Sequence, residues 1–227
     1  MTSRRTGDTG QAFPIYITVV GGLLFLAFAY FAVGQAAATR SGAQTAADAA
    51  ALAAAQDARE QLRDGWLAVI LKPAEWEGFL SGWRFREYTA CQEAASFADR
   101  NDAELLSGAA GCSRLPRWDG EEGFAVKVRT LGTVGESVIP GTENQHATAS
   151  AKAVIEPRCT FEPPKPPAQP DPTEAPDPGE DDDADDDTNP DPKPILGLSC
   201  DGVPWDIDPT HPKLPSAADL FTVRLAD

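Results

Sequence analysis

The chain is predicted to be an α+β protein carried on one N-terminal transmembrane helix. Three features predict this: an uncharged apolar run near the N-terminus, a proline-free alanine-rich stretch behind it, and a helix, helix, strand, strand order in the rest. The fold expected is a transmembrane helix extended into an alanine-rich stalk helix, with the second helix packed on a small antiparallel sheet and a disordered acidic, proline-rich linker interrupting the chain. The 227 residues include 20 prolines and 19 glycines, unevenly placed, so the part able to pack is small and a large multidomain enzyme is excluded.

Residues 9–39 hold no charge, and residues 15–33 form a 19-residue apolar stretch bounded by Ile15 and Val33. As a helix that stretch spans roughly 28 Å, the thickness of a bilayer's hydrocarbon core. Pro14 suits the first helical turn, and Tyr16 and Tyr30 stand where interfacial aromatics collect. Arg4 and Arg5 precede the run, so the positive-inside rule puts residues 1–13 in the cytoplasm, residues 14–34 in the membrane and everything later outside. Two other readings stay open on these residues. One is a cleaved signal peptide ending near Ala36-Ala37-Ala38; the other is a buried helix of a soluble protein, for which little large apolar sequence remains elsewhere.

The stalk is expected over residues 35–72. Of the 23 residues from 36 to 58, 13 are alanine, which favours helix and lets another helix approach closely. Lys72-Pro73 should end that helix near Leu71. The run Ala43-Gln44-Thr45-Ala46-Ala47-Asp48-Ala49-Ala50-Ala51-Leu52-Ala53-Ala54-Ala55, behind one apolar helix and a Gly10-Gln11 lead, resembles the N-terminal region of TadE/TadG-like proteins of Flp (Tad) pilus assembly. The similarity covers residues 10–56. It implies a non-enzymatic, single-pass bacterial envelope protein of a Tad-type pilus or secretion apparatus, pilin-like in plan, acting as minor pilin, pseudopilin or assembly factor. It also implies that Gln44, Ala47, Asp48, Ala51 and Leu52 lie on a helix-packing face meeting other membrane proteins of that system. Prepilin cleavage after Gly10 would put Ile15 where such prepilins carry Glu and Tyr16 where they often carry Tyr, so the N-terminus is expected to be retained. No Asp-x-Ser-x-Ser string of a von Willebrand A module occurs, which points to the smaller, TadE-like form.

An extracytoplasmic α+β domain is expected over residues 73–156. Trp76, Phe79, Leu80, Trp83 and Phe85 follow helical spacing and suit either one buried helix face or a partner surface. Residues 88–106 read as the second helix. Phe124, Val126 and Val128 alternate with Lys127 and Arg129 as in a half-buried strand, and residues 147–155 alternate likewise. In the C-terminal segment, residues 195–227, Phe221, Val223 and Leu225 alternate with Thr222 and Arg224 and could return as a third strand.

Cys91, Cys112, Cys159 and Cys200 form no CxxC pair, and outside the cytosol an even count points to disulfides. Of the three connectivities, 91–112 with 159–200 is favoured because each pair brackets a segment and leaves the strands undisturbed; four free thiols is the competing state. Residues 157–194 hold 12 of the 20 prolines, and residues 162–193 carry 12 acids against 2 lysines, −10 of the chain's net −16. That stretch is expected to be a disordered spacer. Asp181, Asp183 and Asp185 stand at calcium-loop spacing, but Asp186 replaces the loop glycine and no Glu closes it.

The acidic balance disfavours nucleic acid, and no basic patch offsets it. His146 and His211 have no serine elbow, zinc motif or cysteine nucleophile beside them, and no phosphate-binding loop occurs. No catalytic residue, metal, cofactor or small-molecule substrate is therefore assigned; the expected partners are membrane lipid and other pilus or secretion-system membrane proteins. The alternative function is a membrane-anchored or secreted extracytoplasmic binding module unrelated to pili, with a hydrolase a distant third.

Overall fold

The computed structural model describes residues 12–116, 122–133, 135, 141, 144–163, 194–208 and 213–226. Helix α1, Ala12–Ala68, is one continuous helix of 57 residues, about 86 Å at the usual rise. Its two halves live in different surroundings. Between Phe13 and Val33, thirteen large apolar side chains are at least half exposed, and none of the most apolar window is buried within the chain, so this is no core helix of a soluble fold. From Ala43 onward the helix is buried in the head: Ala46, Ala47, Ala50, Ala51, Ala54, Ala55, Ala58, Leu62 and Trp66 have no solvent exposure.

This corrects the stalk. The alanine stretch does not project outward; it is the central element of the folded head. Small side chains allow the close approach, because alanines also line the facing elements. Helix α3, Glu87–Arg100, meets α1 through Ala90, Ala94 and Ala98, after the one-turn helix α2, Glu77–Leu80. α1 ends at Ala68 in a turn closed by Lys72 N–H donating to Val69 O (2.8 Å), as Pro73 requires.

The main sheet contains β1 (Ala103–Leu105), β2 (Cys112–Arg114), β3 (Glu122–Thr130) and β4 (Thr148–Pro157). A smaller sheet follows, β5 (Cys159–Phe161), β6 (Ile195–Cys200) and β7 (Val203–Ile207), before the one-turn α4 (Ala217–Leu220) and β8 (Phe221–Ala226). All pairings are antiparallel; the main sheet runs β1-β3-β4-β8 with β2 also paired to β3. The C-terminal strand thus returns beside β4 with Val223 opposite Ile155. Phe124, Val126 and Val128 point into one core with the α1 and α3 alanines, so α1 as well as the second helix covers the sheet. β3 and β4 approach so closely at Gly123 that a Cβ there would lie 2.1 Å from Ala153 O, which only glycine avoids.

Four further expectations change. The second helix, expected over residues 88–106, ends at Arg100, and Ala103–Leu105 is strand β1 instead. Trp76, Phe79, Leu80, Trp83 and Phe85 do not share one helix face: α2 holds only Phe79 and Leu80, Trp76 caps its start, and Trp83 and Phe85 lie beyond its end. Trp76 is fully buried against Trp66 and Phe161 (ring centroids 5.3 and 4.6 Å), whereas Trp83 is 37% exposed. Residues 157–163 are ordered strand rather than linker, because Arg158 N–H donates to Leu220 O and Glu162 N–H to Gly197 O, each at 2.9 Å. Residues 195–207 are a hairpin that no alternation announced. Gly197 (φ +102°) sits at its irregular register, where a Cβ would lie 2.1 Å from Glu162 O. Asp181, Asp183, Asp185 and His211 lie outside the described residues.

Candidate functional site

The exposed half of α1 is built to sit in an apolar medium. Its threonine hydroxyls are satisfied within the helix: Thr18 Oγ1 donates to Ile15 O (2.8 Å) and Pro14 O (3.1 Å), and Thr39 Oγ1 to Gln35 O (3.0 Å). Gly21, Gly22 and Gly34 face open space, so nothing among the described residues requires their smallness.

Where the helix enters the head, Gln44 Nε2 donates to Asp48 Oδ1 (2.7 Å) and lies 3.4 Å from Ser150 O on β4. The alternation of Gln44 and Asp48 with buried alanines therefore sets the helix against the sheet. Ala47 and Ala51 lie in the seam at zero exposure and Leu52 packs partly buried against the same core. The structure brings these five residues to one junction inside the chain; Ile15 and Val33, expected to bound the membrane span, lie on the exposed projecting half.

Two cystines stiffen the head: Cys91–Cys112 ties α3 to β2, and Cys159–Cys200 joins register partners on β5 and β6. This is the connectivity favoured from the segment edges. Beside the second bond Arg158 ion-pairs with Asp201 and donates through Nη1 to Ala218 O (2.8 Å), docking α4 against the β4–β5 corner; the Asp201 bond, chiefly, raises the Arg158 pKa. α4 begins with a capping box in which Ser216 and Asp219 exchange hydrogen bonds. The Ser216 hydroxyl, then its N–H, hold the Asp219 carboxyl below the usual carboxylate range. A lowered carboxylate pKa stabilises the fold fully above the unfolded value near about 4 and loses that contribution as pH falls through the folded one. Ser216→Ala is thus expected to cost about 1 kcal/mol at neutral pH. The gap between the melting curves of the two proteins should narrow in acid to the share of the Asp219 N–H bond to the Ser216 hydroxyl, which does not titrate; a gap unchanged below that range would show that the carboxylate is not the partner.

Sequence reasoning missed the Trp66–Trp76–Phe161 stack and the Arg114 cluster. Arg114 lies over the Phe85 ring (4.2 Å), ion-pairs with Glu122 and takes Glu87 Oε1 on its own N–H. The only local signal was aromatic richness, which did not say which rings meet. His146 Nδ1 sits 2.7 Å from Thr130 O in the β3–β4 connection, a structural contact. Among the described residues no three His, Cys, Asp or Glu side chains group as metal ligands.

The architecture is thus that of a disulfide-stapled α+β head on a helix whose projecting half is long and apolar enough to cross a membrane. Residues 10–57 match the family model described as putative Flp pilus-assembly TadE/G-like. The match runs through the projecting half and the buried alanine seam alike. Comparison with curated proteins and with solved structures finds no match to the chain.

Proposed function

We propose that this protein is a non-enzymatic, membrane-anchored component of a Flp (Tad)-type pilus or secretion apparatus, in the place of a minor pilin, pseudopilin or assembly factor. The observation that carries this is the coincidence of the TadE/G-like match at residues 10–57 with a single helix that is exposed and apolar at one end and buried in the head at the other. Residues 1–13 face the cytoplasm, residues 14–34 span the membrane and the head lies outside, where its two cystines are stable. The alanines from Ala43 onward are occupied within the head. Other membrane subunits are met instead through the apolar half of α1 and the head's surface.

Two measurements test this. All four native cysteines are bonded, so a single added thiol reports location. In spheroplasts, Ser107→Cys should react with a membrane-impermeant maleimide and Ser3→Cys should not; the opposite pattern reverses the orientation. Deleting the gene should abolish Flp-type pili or the corresponding secretion, with restoration by the intact chain. A deletion strain with both unchanged would leave an anchored binding module without a pilus role.

A further inference from the structure

Arg40 is the first charged residue after the apolar stretch, it is exposed, and no hydrogen bond or ion pair engages it among the described residues. Its Cα stands seven residues beyond Val33, about 10 Å along the helix axis. Helical side chains lean toward the N-terminus, and a long arginine reaches back several Å, which puts its guanidinium at the depth of the headgroup layer, about 5 to 8 Å thick on each side of the hydrocarbon core. The start of β4 comes to the same level. Ala37, Arg40, Ser41 and Gln44 on α1 and Thr148–Ser150 on β4 together line a groove of about 540 Å³, within the size range of small-ligand sites. Its polar groups are neutral apart from Arg40. Asp48, the next acid along α1, is two turns away and held by Gln44.

Resting on the membrane-anchored reading, we infer that this groove between α1 and β4 binds the phosphate of an anionic phospholipid headgroup, with Arg40 as its cation and the Ser41 and Thr148 hydroxyls as donors. Such a contact sets the height of the head above the bilayer. It also limits rotation of α1, because the groove is on one side of the helix and the lipid can be reached only when that side faces the headgroups.

The test uses the full chain in mild detergent after reconstitution with phosphatidylglycerol and phosphatidylethanolamine, with lipids retained per protein read by native mass spectrometry. Wild type should keep one phosphatidylglycerol. Arg40→Gln should lower its retention about fivefold, the worth of one arginine beside an anionic surface. Arg129→Gln, on a strand face where Arg129 pairs with Glu104, should leave it unchanged. Excess inorganic phosphate should not displace the lipid. Equal retention by Arg40→Gln and wild type overturns the site, as does an equal loss in Arg129→Gln, which would make the effect one of net charge. Arg40-dependent binding of inorganic phosphate to the delipidated protein, with displacement of lipid, overturns the lipid assignment in favour of a free phosphate. Recovery of a soluble chain lacking residues 1–38 would overturn the anchor itself, an outcome the same spectra separate from an anchored chain that keeps no lipid.

Discussion

Replacing Ala47 and Ala51 together by leucine is expected to lower the stability of the full chain in detergent by about 4 kcal/mol, read as the loss of near-UV circular dichroism on heating. Each substitution forces a larger side chain into a seam that has no free surface, which costs about 1 to 3 kcal/mol per site. The two positions lie one turn apart, so their costs are coupled rather than strictly additive. Ala38→Leu, on the exposed part of the same helix, should change head stability by less than about 0.5 kcal/mol. The comparison separates two uses of the same alanines. If the double variant melts like the parent but loses its membrane partners, the alanine face packs between chains and the intramolecular seam is not its role.

Removing the Cys159–Cys200 bond by serine substitution should destabilise the head by about 4 kcal/mol, against about 3 kcal/mol for Cys91–Cys112. Their sequence separations are 41 and 21, and the chain-entropy account makes the longer closure worth more. The order also has a structural reason. The proline- and aspartate-rich stretch separates β5 from β6 in the sequence, so the bond between register partners Cys159 and Cys200 closes the longer of the two loops. Without it, the β5–β6–β7 sheet relies on short ladders and on Phe161 against Trp76. Denaturant unfolding of the two variants ranks them, and a smaller loss for the 159–200 variant would show that the small sheet stands by itself.

Much of the head was legible where a periodic pattern was strong and the burial one-sided. β3 and β4 fall within about two residues of their expected bounds, because one face of each is covered by helices and apolar residues recur at every second position. β8 was legible for the same reason, through Phe221, Val223 and Leu225. The hairpin at residues 195–207 was not: Gly197 and Pro204 break its alternation, and what stabilises it comes from Cys159, Glu162 and Phe161, more than thirty residues earlier in the sequence. The grouping of Trp76 with Trp66 and Phe161 was hidden likewise, since a tryptophan's spacing does not name the ring it will meet.

By itself the sequence determined that an uncharged 19-residue apolar helix stands near the N-terminus, that an uninterrupted helix follows it and ends before Pro73, that the cysteines bracket two segments, and that the N-terminal region is similar to the TadE/G-like family model. These are properties of local composition and order. Only the tertiary structure decided what the alanines are for. An alanine helix tolerates water, another subunit or its own sheet equally well in local terms, because it carries neither a large apolar side chain that must be buried nor a charge that must not be. Its place was settled by complementary surfaces distant in sequence: Ala90, Ala94 and Ala98 on α3 and Ala149, Ala151 and Ala153 on β4, all small enough to let the backbones close on one another.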